Sequence, residues 1–301
     1  MTSYSHGSSS PRLPVWLRRP IAQPGQANVV SGLLAELELN TVCQSAKCPN
    51  RSECFSAGTA TFLIMGDACT RGCRFCAVET RAPSPLDADE PRRIGEAASR
   101  MGLKHVVITS VTRDDLPDGG AAHFVATIQA VRRAVPGIAV EVLTSDFGGW
   151  MESVDAVAAA RPDVYNHNLE TVPRLYAEVR PGADYQRSLD VLARVHLTRP
   201  DLPLKSGVML GLGETPDEVR EVMQDLLAHG VSMLTLGQYL RPSVAHLPVT
   251  EFVEPAVFTQ LARDAYKLGF SAVASAPFVR SSYHAGELAE DAASCGGPSE
   301  E

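Results

Sequence analysis

The stretch Asp67-Ala-Cys-Thr-Arg-Gly-Cys-Arg-Phe-Cys-Ala77 places three cysteines within eight residues, with the spacing C-x3-C-x2-C. Three thiolates this close together can bind three irons of one four-iron cluster, and the fourth iron is then left without a protein ligand. Common ferredoxin loops use a different cysteine spacing. A structural zinc site takes four protein ligands in a closed tetrahedron, so the alternative, a zinc knuckle, needs a distant fourth ligand.

Outward from this stretch, apolar runs alternate with helix-like stretches. Six apolar runs indicate buried parallel strands: 61–65, 105–109, 139–143, 164–169, 204–210 and 233–237. Six stretches have a helical pattern: 90–101, 121–135, 151–160, 189–196, 216–229 and 255–268. The alternation predicts an α/β fold, a (β/α) partial TIM-type barrel of about six units, with its chemistry on the loops that follow the strands.

Bulk composition restricts the partners and the compartment. The chain has 301 residues, of which 45% are hydrophobic, which is enough for one large core. A net charge of −8 lacks the basic excess that binds phosphate backbones, so we expect no nucleic acid partner. No apolar run approaches the roughly 20 residues that span a bilayer. Residues 1–14 contain no apolar region typical of a signal peptide, so we expect a cytoplasmic protein without membrane contact.

Six of the seven cysteines lie between positions 43 and 76, in two triplets. Cytosolic thiols are kept reduced, so clustered cysteines are more often metal ligands or catalytic groups than disulfides. The first triplet is Cys43, Cys48 and Cys54, with the spacing C-x4-C-x5-C. The seventh cysteine, Cys295, stands alone in a polar tail and is predicted to be incidental.

The second triplet resembles the signature of the radical S-adenosylmethionine (SAM) superfamily, C-x3-C-x-aromatic-C. Cys69, Cys73, Phe75 and Cys76 match it residue for residue. The resemblance implies a 4Fe-4S cluster whose open iron binds the amine and carboxylate of SAM. Reduction of that cluster cleaves SAM to a 5′-deoxyadenosyl radical, which abstracts hydrogen from an unactivated carbon.

Two further segments resemble parts of the SAM site. Tyr165-Asn-His-Asn-Leu-Glu-Thr171 resembles the ribose-binding element of biotin synthases and lipoyl synthases. This implies that Asn168 and Glu170 contact ribose and that Arg180 binds the SAM carboxylate; strand-end capping is the alternative. Gly211-Leu-Gly-Glu-Thr215 resembles the superfamily's turn beside adenine, and it is also a plausible helix start with Thr215 as the cap.

The first triplet resembles the pattern that holds an auxiliary 4Fe-4S cluster in the lipoyl synthase family. Near the other end of the chain, Arg280-Ser-Ser-Tyr283 matches that family's R-S-S-Y motif, in which a serine supplies the fourth ligand. We assign Ser282 rather than Ser281 as this ligand, and we assign Ser282 and Arg280 to catalysis. Without the first triplet, both serines would pass as turn residues.

Further similarity at 14–20 and 109–120 extends this resemblance over about residues 14–286. It implies an N-terminal extension with auxiliary ligands at 1–57, a radical SAM barrel at 58–270, and a C-terminal segment at 271–301 that carries the R-S-S-Y ligand. The tail with Cys295 lies outside the resemblance, and we expect it to be disordered. The implied reaction inserts two sulfur atoms, drawn from the auxiliary cluster, at carbons 6 and 8 of an octanoyl group on a carrier-protein lysine. The implied partners are octanoylated lipoyl carrier domains or glycine-cleavage H protein, an electron donor such as ferredoxin or flavodoxin, and an iron–sulfur carrier for cluster repair.

Two other classes of protein compete with this interpretation. A biotin synthase or a methylthiotransferase would account for the barrel and the Asn168–Glu170 element, although not for the first triplet together with the R-S-S-Y segment. A non-enzymatic metal module, either a zinc scaffold or an electron carrier, would account for the six cysteines. Metal and sulfide analysis separates these classes, since zinc without acid-labile sulfide excludes the radical chemistry.

Overall fold

The computed structural model describes residues 13–18, 26–45, 48–56 and 60–295. Helix α1 (Gln26–Glu36), strand β1 (Asn40–Thr41) and the short helices α2 (Val42–Ser45) and α3 (Arg51–Ser56) precede the main sheet. A single 3-10 turn at Val15–Leu17 lies ahead of them.

Seven parallel strands form the body of the sheet. They are β2 (Thr61–Ile64), β5 (His105–Ser110), β6 (Ala139–Leu143), β7 (Val164–Asn166), β8 (Leu204–Leu210), β9 (Met233–Gln238) and β10 (Ala272–Ser275). They pair in chain order, and β1 joins β2 antiparallel at the edge, with Asn40 opposite Leu63. A separate pair, β3 (Ala68–Cys69) and β4 (Glu79–Thr80), lies just after β2.

Each parallel strand is followed by one or more helices. These are α4 (Glu90–Arg100), α5 (Ala121–Ala134), α6 (Met151–Ala159), α7 (Tyr176–Val179), α8 (Tyr185–Thr198), α9 (Pro216–Ala228), α10 (Pro255–Leu268) and α11 (Ala285–Cys295), with 3-10 turns at Phe147–Gly149 and Pro173–Leu175. Within the described residues, the outermost strands β1 and β10 do not pair with each other, so the barrel is open. The α/β partial-barrel fold predicted from the sequence is confirmed.

Local sequence explains where these elements begin. The parallel strands from β2 to β9 are mostly buried, as the continuous apolar runs predict, and all four residues of β2 are buried. Helix α9 begins with a capping box, in which Thr215 accepts a hydrogen bond from the backbone of Glu218 and Glu218 accepts one from Thr215. Thr215 therefore caps α9. The carboxylate of Glu214 accepts the amide N–H groups of Gly211 and Leu212, which closes the preceding turn.

The structure departs from the predicted elements at several points. A seventh parallel strand, β10, follows the six predicted ones, so the sheet continues beyond residue 270. Helix α8 begins at Tyr185 rather than at residue 189, because the Asp184 side chain caps it by accepting the amide of Arg187. Strand β7 ends at Asn166 instead of residue 169. The side chain of Cys295 and the tail from residue 296 lie outside the described residues.

The early end of β7 has a geometric cause. The amide of His167 donates to the carbonyl of Lys205, and that of Glu170 donates to Gly207, so three residue steps lie opposite two on β8. Glu170 also has a positive φ of 68°. An extra residue of this kind bends a strand and redirects its side chains, as β-bulges do beside active sites. The affected residues are those predicted to contact SAM.

Helix α11 closes the base of the barrel. Its Leu288 packs against Val164, Met233 and Ala272, which stand at the beginnings of β7, β9 and β10. The segment before it, 276–284, descends from the carboxyl end of β10. The described helices include none with both the length and the apolar character needed to cross a membrane.

Candidate active site

A cavity of about 900 Å³ lies within the barrel, and its lining extends from the amino end of β5 and helix α11 to the loops after the carboxyl ends of the strands. This volume is at the upper end of the range for small-molecule sites. Every residue that the sequence analysis assigned to a site lines it: Cys43, Cys48, Cys54, Cys69, Cys73, Phe75, Cys76, Asn168, Glu170, Arg180, Arg280 and Ser282. The cavity thus brings together residues up to 239 positions apart, from Cys43 to Ser282.

The second triplet lies on the loop after β2. Cys69 is the last residue of β3, and its sulfur accepts hydrogen bonds from the amides of Arg71 and Thr112 at 3.4 and 3.3 Å. The amide of Cys76 donates to the carbonyl of Cys73 at 3.0 Å, which folds the loop into a tight turn. Amide donors to sulfur are one of the features that set the potential of an iron–sulfur cluster.

Burial shifts the pKa of several of these thiols. It raises the pKa of Cys73, although the Arg180 guanidinium partly opposes this, and it raises the pKa of Cys76 to about 12. Burial also raises the pKa of Cys43 in the first triplet. A metal ligand must be a thiolate, so binding of a cluster here displaces protons from thiols that the apolar cavity keeps neutral.

The loop after β9 contacts the loop that carries Cys69, Cys73 and Cys76, which is called the cluster loop below. The ring Nε2 of His246 lies 3.0 Å from the carbonyl oxygen of Cys76, and its Nδ1 lies 2.9 Å from the hydroxyl of Ser243. Because a carbonyl can only accept, Nε2 carries the proton. The amide of Leu247 donates to the carbonyl of Arg74. Sequence reasoning missed His246, since neither its residue type nor its spacing signals a partner 170 residues away.

The predicted SAM contacts form one hydrogen-bonded group. Nδ2 of Asn168 donates to Oε1 of Glu170 at 3.0 Å and to the hydroxyl of Ser281 at 2.6 Å. Nη1 of Arg180 donates to the carbonyls of Asn168 and Leu169 and to the hydroxyl of Tyr176. Burial raises the pKa of Glu170, while Arg180 and Asn168 favour its charged form.

Two buried polar atoms of this group have no hydrogen-bond partner within the described chain: Oδ1 of Asn168 and Nε of Arg180. Buried polar groups are normally paired, so an acceptor and a cationic donor of this kind at a cavity wall fit a polar ligand. A nucleoside with hydroxyl and carboxylate groups, such as SAM, has the matching donors and acceptors. The residues present therefore fit SAM.

The first triplet is held against the edge of the barrel. The pairing of β1 with β2 carries Cys43 of α2 to the cavity wall, where it is 5% exposed. The amide of Cys48 donates to the carbonyl of Cys43, and the amide of Cys54 donates to that of Asn50. All three cysteines of the first triplet line the cavity.

The R-S-S-Y segment crosses from the barrel to the first triplet. Nδ2 of Asn50 donates to the carbonyl of Phe278 at 2.7 Å, and the hydroxyl of Tyr283 donates to Oε1 of Glu53 at 2.6 Å. These contacts hold Ser282 at the same cavity as Cys48, which lies two residues before Asn50.

No group of three or more His, Cys, Asp or Glu side chains among the described residues is arranged to hold a single metal ion. In a four-iron cluster each thiolate binds a different iron, so its ligands do not converge on one point. Two triplets of thiols on the walls of one cavity fit two such clusters by their donor chemistry.

Comparison with known proteins defines the class. Residues 63–226 match the family model of the Radical SAM superfamily. Among solved structures, HydG, a maturase of the FeFe-hydrogenase, aligns with a TM-score of 0.54 at 15% identity over 83% of this chain and 63% of that one. Methylornithine synthase (PylB) aligns with a TM-score of 0.52 at 14% identity over 81% and 73%. The chain is a radical SAM protein.

Curated relatives narrow the class. The lipoyl synthase of Trichlorobacter lovleyi is 58% identical over 92% of this chain and 99% of that protein. The lipoyl synthase of Caldanaerobacter subterraneus subsp. tengcongensis is 57% identical over 91% of this chain and 96% of that protein. Within the radical SAM class, the chain belongs to the lipoyl synthase family.

Proposed function

We propose that this protein acts as a lipoyl synthase, inserting two sulfur atoms at carbons 6 and 8 of an octanoyl group that is amide-linked to a carrier-protein lysine. The observation that carries the proposal is the single cavity lined by both cysteine triplets and by Ser282. A radical source and a sulfur source must both reach the same substrate carbon. One cavity shared by two sets of ligands meets this requirement.

In this proposal Cys69, Cys73 and Cys76 hold the 4Fe-4S cluster that binds SAM, and Phe75 packs beside them. When bound, this cluster and SAM supply a 5′-deoxyadenosyl radical that removes hydrogen from an unactivated carbon. Asn168 and Glu170 hold the ribose through the unpaired amide oxygen and the neighbouring carboxylate. Arg180 binds the SAM carboxylate through Nε, whose N–H has no acceptor among the described residues.

A second 4Fe-4S cluster, held by Cys43, Cys48, Cys54 and Ser282, is the proposed sulfur donor. An oxygen ligand is harder than a thiolate and less suited to an iron–sulfur cluster, so Ser282 marks the corner that opens most readily. Arg280 is assigned to catalysis beside it. Nη1 of Arg280 donates to the carbonyls of Val279 and Pro277, which fixes the turn before the serines. In domain terms, 1–57 carries the auxiliary cysteines, 58–270 the barrel, and 271–301 the fourth ligand.

The remaining cavity wall suits an alkyl chain. Leu63, Val107, Leu143, Val208 and Met209 line it, and its surface is mostly apolar. Burying methylene groups there is favourable by about 25 cal/mol per Å². The same wall excludes water, which protects a carbon radical from side reactions.

The proposed partners follow from the reaction. The substrate is an octanoylated lipoyl carrier domain or glycine-cleavage H protein. An electron donor such as ferredoxin or flavodoxin delivers the electron that SAM cleavage consumes, and an iron–sulfur carrier rebuilds the auxiliary cluster after sulfur has left it. A cytoplasmic location belongs to the same proposal, because seven cysteines of which six are free thiols in the structure require a reducing compartment.

The test is mass spectrometry of an octanoylated carrier peptide after anaerobic incubation with the reconstituted protein, SAM and a reductant. We expect a product that carries two sulfur atoms. A Cys54→Ala variant serves as the matched control, because it removes one auxiliary ligand and leaves the barrel triplet intact. Purified protein that contains zinc and no acid-labile sulfide, or a peptide that gains no sulfur, would contradict the proposal.

A further inference from the structure

The two serines of Arg280-Ser-Ser-Tyr283 differ in their surroundings. The hydroxyl of Ser281 lies 2.6 Å from Nδ2 of Asn168, which donates to it across 113 residues of sequence. The hydroxyl of Ser282 makes no hydrogen bond within the part of the chain that the structure describes, although it lines the same cavity. Because their hydroxyl groups make different contacts, Ser281 and Ser282 can serve different functions.

A glycine in strand β8 allows the side chain of Ser281 to reach that of Asn168. Gly207 lies in the middle of β8, where a Cβ atom would stand 3.0 Å from Oδ1 of Asn168 and 3.1 Å from the hydroxyl of Ser281. The same atom would stand 2.6 Å from the hydroxyl of Thr235 on β9. The absence of a side chain at Gly207 therefore creates the space in which the Asn168 amide and Ser281 meet.

The contact fixes the orientation of the Asn168 amide. Nδ2 has two N–H groups, and these donate to Ser281 and to Oε1 of Glu170. A flipped amide would place its oxygen against the Glu170 carboxylate, which repels it, so the hydrogen-bond pattern assigns the orientation. Oδ1 is left as the free acceptor, and it has no partner among the described residues. It can accept a hydroxyl of a sugar.

The segment that contains Ser281 is also attached to the first cysteine triplet. Asn50 binds the carbonyl of Phe278, and Glu53 binds the hydroxyl of Tyr283. Both ends of segment 278–283 therefore contact residues of the first-triplet region, Asn50 and Glu53, which is called the auxiliary loop below. Between these ends, Ser281 contacts Asn168.

We infer that Ser281 is a positioning residue of the SAM site and that, through it, SAM binding is coupled to closure of segment 278–283 over the cavity. This rests on the proposed contact of Asn168 with the ribose of SAM. The closed segment adds the Ser281 contact to the Glu170 contact that already orients the Asn168 amide, so a closed segment holds Asn168 more firmly and binds SAM more tightly. By linkage, SAM must stabilise the closed segment by the same factor. The segment that carries the proposed auxiliary ligand Ser282 is then in place when SAM is bound.

Equilibrium dialysis of the cluster-loaded protein with radiolabelled SAM, without reductant, tests the positioning function. Ser281→Ala should raise the Kd for SAM about tenfold, within the range typical of coupled sites. The matched control is Ser271→Ala, which removes a half-buried hydroxyl that binds the carbonyl of Ser232 away from the cavity. That variant should bind SAM as the wild type does. In an Asn168→Ala background, Ser281→Ala should have no further effect.

Hydrogen exchange tests the coupling. In the wild type, SAM should slow exchange of the amides in 278–284, and in Ser281→Ala this protection should be lost while iron and sulfide contents stay at wild-type levels. Gly207→Ala gives an independent variant that should weaken SAM binding by separating the same pair. If Ser281→Ala with full clusters kept the wild-type Kd for SAM while Asn168→Ala bound SAM weakly, the inference about Ser281 would be wrong and the proposed contact of Asn168 with SAM would stand. An unchanged Kd in Asn168→Ala would overturn the proposed SAM contact as well.

Discussion

Arg71 and Asp146 form an ion pair of 2.7 Å that joins the cluster loop to the carboxyl end of β6. Arg71 lies between Cys69 and Cys73, and its guanidinium also binds both oxygens of Asp114 on the loop after β5. Burial alone would raise the pKa of Asp146, yet the pairing with Arg71 holds it at about 2. One cation thus connects three adjacent strand ends at the point where the thiols must be held.

We expect Arg71→Met to destabilise the protein by about 2 kcal/mol, because it removes charge-assisted hydrogen bonds to Asp114 and to the buried Asp146, which keeps only the more distant Arg187 at 3.5 Å. Arg81→Met is the matched control on the same loop. Its guanidinium binds Asp67 and Glu79 at the surface, where ion pairs contribute little to stability. Anaerobic urea unfolding of both variants measures the difference. Equal destabilisation by the two substitutions would show that the Arg71 pair has no special structural role.

Substitutions in the two cysteine triplets should abolish different activities. Cys73→Ala removes a proposed ligand of the barrel cluster, so formation of 5′-deoxyadenosine from SAM should fall to background. Cys48→Ala removes a proposed auxiliary ligand, so sulfur insertion should stop while SAM cleavage continues. Chromatographic assay of 5′-deoxyadenosine, with mass spectrometry of the peptide, follows both. Normal SAM cleavage by Cys73→Ala would refute the ligand assignment.

The sequence predicted the six parallel strands of the main sheet before β10 and the long helices between them, because buried parallel strands are continuous apolar runs and helix starts have recognisable caps. It did not predict β10, since Ala-Val-Ala-Ser is short and only its first residue is buried. The sequence also did not predict the extra residue after β7 that changes the direction of the chain at Asn168, because it depends on how β7 is aligned with β8. Resemblance assigned the two triplets to two clusters, whereas their common cavity and the contacts of Arg71, His246 and Ser281 became apparent only in the structure, because they depend on how distant loops meet.

Gly237 makes room for the C-terminal segment. A Cβ at this position of β9 would lie 2.1 Å from the carbonyl oxygen of Val279, so Gly237→Ala must displace the backbone before Ser281 and Ser282. We expect destabilisation of about 1–3 kcal/mol, typical of overpacking, together with loss of sulfur insertion. Gly32→Ala, in helix α1 with no atom within 4 Å of the added Cβ, should instead stabilise by about 0.5–1 kcal/mol. Urea unfolding and the peptide assay would show the contrast; a neutral Gly237→Ala would contradict it.

Acid should destabilise the barrel through His167. Burial lowers the pKa of His167 from 6.5 to about 4, with Arg180 and Arg71 also disfavouring its charge and Asp146 favouring it. Below pH 6.5 the unfolded chain binds a proton that the native ring does not, so the stability from this residue is lost as the pH falls from 6.5 towards 4. The loss should approach about 1.4 kcal/mol per pH unit within this window. His167→Asn keeps a donor for the carbonyl of Thr144 and should reduce this slope in anaerobic urea unfolding at pH 7.5, 6.5 and 5.5. An unchanged slope would refute the assignment.

The last prediction concerns Ser282 as the fourth auxiliary ligand. In the proposed auxiliary cluster, the first triplet would supply three thiols for four irons, and Ser282 lines the same cavity on a segment held by Asn50 and Glu53. Ser282→Cys should load a cluster that resists breakdown, because a thiolate suits iron–sulfur chemistry better than an alkoxide. Ser282→Ala should hold iron less firmly and insert little sulfur, while SAM cleavage at the barrel triplet continues.

Mössbauer spectra of the loaded variants and single-turnover analysis of the peptide distinguish the two serines. Ser281→Ala should keep the auxiliary spectrum of the wild type, because its hydroxyl binds Asn168 rather than the auxiliary loop. Wild-type spectra and turnover for Ser282→Ala, together with an altered auxiliary spectrum for Ser281→Ala, would move the ligand by one residue. If neither substitution changed the auxiliary spectrum, no serine of this motif would be a ligand, and the fourth iron would have to be bound by a group outside Arg280-Ser-Ser-Tyr283.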